Sequence, residues 1–191
     1  MVKAVVFDLF GVLVTDALEG IVNDLRASDK VKAEHIVKLV NAASKGLIET
    51  EASRSAVAKT LGVTVEEYKH MIKSGEVKNK ELLDFTKRLR PRYKTGLLTN
   101  ILQGGLAVRF TNDELTLYFD VVVASCDIGF AKPEPQAYEI TADRLGVGLG
   151  ECILVDDRED YCSGAKAVGM HAIQYRSYEQ LKTDLLVYGV T

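Results

Sequence analysis

Six positions of this 191-residue chain carry chemically useful side chains directly after short apolar runs: Asp8 after AVVF, Thr99 and Asn100 after GLL, Ser125 after VVVA, and Asp156 with Asp157 after CILV. Runs of this length and composition read as buried parallel strands, so these residues fall at strand carboxyl ends, where open parallel sheets bind ligands. Lys132, in the loop GFAKPEP just after the third run, can reach the same place. Together they bring carboxylates, hydroxyls, an amide and an ammonium to one ligand-binding crevice. Taken singly, an aspartate or asparagine here can be a turn former, Thr99 a helix cap and Lys132 a solvated loop lysine. Their joint occurrence, in this order on alternating strands, argues for a site.

The elements that must position them follow from periodicity. Residues 3–7 (KAVVF) form a first strand that enters a turn at Gly11. Residues 16–75 have no strand-like run. Leu18, Ile21, Val22 and Leu25, then Ile36, Leu39, Val40 and Ala43, repeat at helical spacing, and Thr64 with Glu67 forms a capping box with Val63 and Tyr68 as a hydrophobic staple. From residue 79 helices alternate with the strands TGLLT, DVVVA, CILV and HAIQY, before a closing helix over 177–188. This pattern predicts an α/β fold with a doubly wound, Rossmann-like parallel sheet, formed by residues 1–15 and 76–191, and an inserted all-helical cap over 16–75.

Bulk properties narrow the classes. The length suits one core with a smaller insertion. Lys and Arg total 24 against 27 Asp and Glu, with signs interspersed, so there is no footprint for nucleic acid or an anionic membrane. Cys126, Cys152 and Cys162 lack metal-ligand spacing and read as buried free thiols on two strands and a helix, in a reducing compartment. Asp8 interrupts the apolar start, and no other segment is long enough to span a membrane, so the chain reads as a soluble cytoplasmic protein. Its composition says nothing of oligomeric state.

The stretches FDLFGVL, LLTN, GFAKPEP and VDDREDYCSGAKAVGM resemble, in chain order, the four motifs of the haloacid dehalogenase (HAD) superfamily of hydrolases, in the subfamily whose helical cap lies between the first two motifs. The resemblance implies a magnesium-dependent phosphatase of a small phosphorylated metabolite. Asp8 would attack phosphorus and form an aspartyl-phosphate. Mg2+ would be held by Asp8, the backbone carbonyl of Phe10 and Asp157, with Asp156 supporting that shell. Lys132 would compensate charge and keep Asp8 ionised, while the Thr99 hydroxyl and the Asn100 amide or backbone N–H would hold phosphoryl oxygens.

Two residues depart from the family pattern. Phosphatases of this family carry a second aspartate two residues after the nucleophile, which protonates the leaving group and activates water; this chain has Phe10, which does neither. Four residues after the metal-binding aspartate, where Asp or Asn is common, it has Tyr161, with Asp160 next door. Phe10 leaves several readings open. One is a phosphatase for substrates with good leaving groups, or one that borrows an acid from Asp16, His35, Glu49 or His70. Others are a 2-haloacid dehalogenase-like hydrolase, against which Asp157 counts, a phosphonoacetaldehyde hydrolase using Lys38, Lys45 or Lys59, and a non-catalytic binding or regulatory protein of the same fold.

Overall fold

The computed structural model describes residues 1–190. Five parallel strands, β1 (Ala4–Phe7), β2 (Lys94–Thr99), β3 (Val121–Ala124), β4 (Cys152–Asp156) and β5 (His171–Gln174), form one sheet in the order β3-β2-β1-β4-β5. The strand order turns back at β1, which pairs with β2 on one side and β4 on the other. That is the switch point at which a doubly wound sheet opens a crevice beyond its strand ends.

β1 is central because it is apolar on both faces, and its four residues have no exposed surface. With side chains alternating along a strand, Val5 and Phe7 enter one cluster and Ala4 and Val6 another. The first cluster is completed by α5 (Lys80–Leu89) through Leu82 and Leu83 and by α10 (Tyr178–Val187) through Leu181 and Leu185. The second is completed by α8 (Pro135–Leu145) through Ala137 and Tyr138 and by α9 (Glu159–Ala167) through Cys162 and Ala165. Helices on both faces make this a three-layer α/β fold of the Rossmann type. α8 begins with Pro135, whose missing N–H costs nothing in a first turn.

Between β1 and α5 the chain forms α1 (Ala17–Ser28), α2 (Lys30–Ser44), α3 (Thr50–Leu61) and α4 (Val65–Gly75). They pack around their own apolar cluster of Val22, Ala33, Ile36, Val57, Ala58 and Tyr68. α4 opens with the capping box read from the sequence: Glu67 N–H donates to Thr64 Oγ1 at 3.2 Å and Thr64 N–H donates to Glu67 Oε2 at 2.8 Å. The outgoing and returning strands of chain are tied at their crossing. Thr15 Oγ1 donates to Gly75 O at 2.6 Å and accepts from Val77 N–H at 2.8 Å, and Asn79 N–H donates to Leu13 O at 2.8 Å.

One local expectation is corrected. Cys126 lies in the one-turn helix α7 (Ser125–Ile128) and not in a strand, because the chain turns at Ser125 as soon as β3 ends. A short helix α6 (Asn112–Tyr118) links β2 to β3. No helix among the described residues is long and apolar enough to cross a membrane.

Candidate active site

Asp8 follows the last residue of β1, and its N–H donates to Val155 O in β4 at 2.9 Å, so the sheet ladder itself sets its backbone. Asp156 ends β4 and Asp157 follows it. Lys132 comes in from the loop after α7. Its Nζ lies 2.6 Å from Asp8 Oδ1 and 2.5 Å from Asp156 Oδ2, and all three side chains are almost wholly buried. Asp156 Oδ1 accepts from Arg158 N–H at 3.0 Å. Ligand oxygens of Asp8, Asp156 and Asp157 lie within 4.8 Å of one another.

This cluster is electrostatically strained. Burial pushes the Asp8 carboxyl up, Lys132 pulls it down and Asp156 raises it again, with burial prevailing. Burial also works against the Lys132 charge, but Asp156 and Asp8 outweigh it and keep the ammonium protonated. Burial, helped by Asp156, lifts Asp157 to about 6. Asp157 Oδ1 is buried with no hydrogen-bond partner. Grouped oxygens whose ionised forms lack compensation fit a hard divalent cation, and Asp8, Asp157 and the neighbouring Asp156 are the side chains that could hold one.

Gly11 makes room for this arrangement. Its φ is +78°, and a Cβ there would fall 2.3 Å from Asp157 Oδ2. Gly11→Ala is therefore expected to cost about 1–3 kcal/mol in backbone strain alone and to displace Asp157. Urea unfolding and calorimetric Mg2+ titration check this; a variant matching the parent in both would mean that the close approach is not required.

Of the remaining residues from the sequence, Asn100 and Tyr161 face the cavity over Asp8, and Thr99 and Ser125 are buried. Thr99 Oγ1 is buried at the end of β2 with no hydrogen-bond partner. The Asn100 side chain is engaged: Nδ2 donates to Lys132 O at 2.9 Å, and Oδ1 accepts from Lys132 N–H at 2.9 Å. It clamps the lysine loop. Tyr161 Oη, 3.2 Å from Asn100 Nδ2, accepts from the same amide, and the Tyr161 ring lies 5.0 Å from Lys132 Nζ. Tyr161 thus supports the clamp from the first turns of α9. Asp160 turns outward to Arg158 at 3.0 and 2.8 Å and does not replace it. Ser125 Oγ accepts from Ile101 N–H at 3.0 Å, bracing the chain after β2.

A cavity of about 610 Å³ opens over Asp8, with Phe10, Asn100, Asp157 and Tyr161 on its floor and residues of α1, α2, α3 and α4 on its opposite wall. The half-buried Phe10 ring lies 4.9 Å beneath the Arg109 guanidinium, which pairs with Glu76 and donates to Gly105 O at 2.6 Å. Arg109 escaped the sequence reading because it sits in a nonperiodic loop and its partners are distant in the chain. Of the four acids considered as replacements for the missing aspartate, only Asp16 borders the cavity. Its carboxylate caps α1, accepting from Glu19 N–H at 2.8 Å, and burial raises its pKa. His35, Glu49 and His70 are exposed elsewhere. Lys38 and Lys59 are exposed too, and Lys45 is paired with Glu134 at 2.8 Å.

A family model described as haloacid dehalogenase-like hydrolase matches residues 2–169. The chain belongs to that family. Among solved structures, a HAD-like family hydrolase of Porphyromonas gingivalis superposes with a TM-score of 0.76 at 25% identity, over 97% of this chain and 98% of that one. A HAD family enzyme of Bacteroides thetaiotaomicron, solved in complex with magnesium and inorganic phosphate, superposes with a TM-score of 0.74 at 22% identity, over 95% and 99% of the two chains. That likeness is one of fold. A phosphatase of Mycobacterium tuberculosis is 47% identical over 53 residues, 28% of this chain and 24% of the relative. The next two curated relatives are each matched over 11% of their length, so the chain corresponds to a small part of these larger proteins. As a HAD-like hydrolase, the protein carries Asp8, Thr99 and Asp156 at strand ends around the switch point and brings Lys132 to Asp8 and Asp156 from the loop after α7.

Proposed function

We propose that this HAD-like hydrolase is a magnesium-dependent phosphatase of a small phosphorylated molecule, working through an aspartyl-phosphate on Asp8, with helices 16–75 as a cap over the residue 1–15 and 76–191 core. The observation that carries the reading is the buried cluster in which Asp8 and Asp156 share Lys132 at 2.6 and 2.5 Å beside the unpartnered oxygen of Asp157. Relatives named as phosphatases, and the neighbour solved with magnesium and phosphate, support it.

In this reading Asp8, Asp157 and the backbone carbonyl of Phe10 hold Mg2+, which supplies charge neutralisation at the phosphoryl oxygens. An Asp8 oxygen attacks phosphorus, and the bond to the leaving oxygen breaks with its electron pair on that oxygen. Lys132 faces the developing charge, and Thr99 Oγ1 donates to a phosphoryl oxygen. Asn100 acts by holding the Lys132 loop. Water then attacks the aspartyl-phosphate, releasing inorganic phosphate and restoring Asp8. Phe10 gives no proton to a leaving alkoxide, so the favoured substrates are those whose leaving group is stable as an anion, acyl and aryl phosphates among them.

Phosphate release from alkyl, aryl and acyl phosphates, with and without Mg2+ and with Asp8→Asn as the blank, tests the reading. Aryl and acyl esters should turn over faster than alkyl ones. No Asp8-dependent release from any of them would make the protein a non-catalytic binder. Phe10→Asp should raise alkyl phosphate turnover about 10²-fold, the low end of what a general acid/base supplies, because Arg109 would hold the new carboxyl ionised. Unchanged turnover in a folded variant would mean that residue 10 is not the limiting defect.

A further inference from the structure

Charged side chains of both signs line the cavity. On the core side the acids are already committed. Asp8 and Asp157 belong to the carboxylate cluster, Glu76 is bound to Arg109, and Asp16 caps α1. Glu19, an acid on the helical wall itself, lies in the first turn of α1. The helical wall is otherwise cationic, with Arg26 from α1, Arg54 from α3, and Lys69 and Lys73 from α4 lining the cavity, while Arg109 and Arg158 line it from the core side. The acids that pair with Arg54 and Lys69, namely Glu51 and Glu66, do not line it. Arg26 and Lys73 have no acidic partner among the described residues. Apolar side chains, Val22, Val37, Val40 and Ile72, fill the space between these cations.

We infer that the molecule bound here carries a second anionic group, a carboxylate or a further phosphate, at the end remote from the phosphoryl group handled by Asp8, and that Arg54 with Arg26, Lys69 and Lys73 holds it. The inference rests on the phosphatase reading and narrows its substrate to doubly anionic compounds with an apolar or neutral middle. A cavity of about 610 Å³ is large enough to enclose both ends of a small molecule. Arg54 is the best placed of the four to give directional recognition, since its side chain is only 24% exposed and a guanidinium can grip a carboxylate or phosphate with two parallel hydrogen bonds.

The test uses Asp8→Asn protein with Mg2+, so that probes are not consumed, and compares n-alkyl phosphates of three to six carbons that are bare at the far end, end in a carboxylate, or end in a second phosphate. At the best length, one of the doubly anionic series should bind about tenfold or more tightly than the bare probe by calorimetry. The preference should shrink as salt rises, and in Arg54→Gln/Lys69→Gln the affinity ratio should fall to about one. The series that gains identifies the second anion. Equal affinity of bare and doubly anionic probes, or a preference untouched by the double variant, overturns the inference. Beryllium fluoride with Mg2+ on the unmodified protein separates this from the parent reading. An adduct on Asp8 without any second-anion preference removes only the inference. A preference without an adduct removes the phosphatase reading and leaves an anion-binding cavity. Failure of both removes both.

Discussion

Asp8→Asn is expected to abolish phosphate release, lowering turnover by about 10⁴-fold or more, the scale seen when a covalent nucleophile is removed from a site that acts as a unit. The change is nearly isosteric and keeps a hydrogen-bond acceptor 2.6 Å from Lys132 Nζ, so the loss should come without unfolding. Removing the buried carboxylate charge also removes a desolvation cost, and the metal-free variant should melt no lower than its parent. Quenched-flow trapping of the phosphoenzyme and a thermal melt read the two halves separately. Residual turnover above one per cent in pure protein would place the nucleophile elsewhere. Unfolding of the variant would instead make Asp8 a structural partner of Lys132.

The second large effect lies with Lys132. Lys132→Met should destabilise the metal-free protein by about 3–5 kcal/mol, because it leaves Asp8 and Asp156, both almost fully buried, facing each other without a cation. For a chain of this size that is a fall in Tm of about 10 °C. Two features make the prediction specific. Saturating Mg2+ should recover part of the loss by replacing the missing positive charge, and Asp156→Asn in the same background should recover part of it by removing one of the repelling carboxylates. A Lys132→Met protein within about 1 kcal/mol of the parent in chelator would show that the two aspartates protonate at little cost. Turnover should fall as well, since the loop residue that faces the transferring phosphoryl group is gone.

Much of this site was legible from local patterns. A strand that must be apolar on both faces announces itself as a short β-branched run, and a polar residue at its end is visible without knowing any neighbour: Asp8, Thr99, Asp156 and Asp157 were found in that way. The capping box at Thr64 was equally local. What sequence could not supply were arrangements made by distant segments. The central place of β1 depends on which strands pair, and nothing in AVVF states that β2 and β4 flank it. Asn100 was read as offering a ligand its amide or its backbone N–H, and the engagement of that amide with the backbone of Lys132, 32 positions away, was not visible. Arg109 had no periodic neighbours to mark it, and its meeting with Phe10 and Glu76 exists only after the chain has folded. Tyr161 was visible as a departure, but its support of the Asn100 clamp was not.

The sharing of one lysine by two aspartates has a consequence for ion choice. Asp8, Asp156 and Asp157 in their ionised forms, set against Lys132, leave a surplus of two negative charges at the floor of the cavity. In the magnesium reading a dication would cancel that surplus, whereas a single sodium or potassium ion would leave half of it standing. Charge stoichiometry alone would then discriminate against the abundant monovalent ions before ligand geometry enters. Any substitution that alters the count, such as Asp156→Asn, should loosen that valence selectivity even if every remaining oxygen keeps its place.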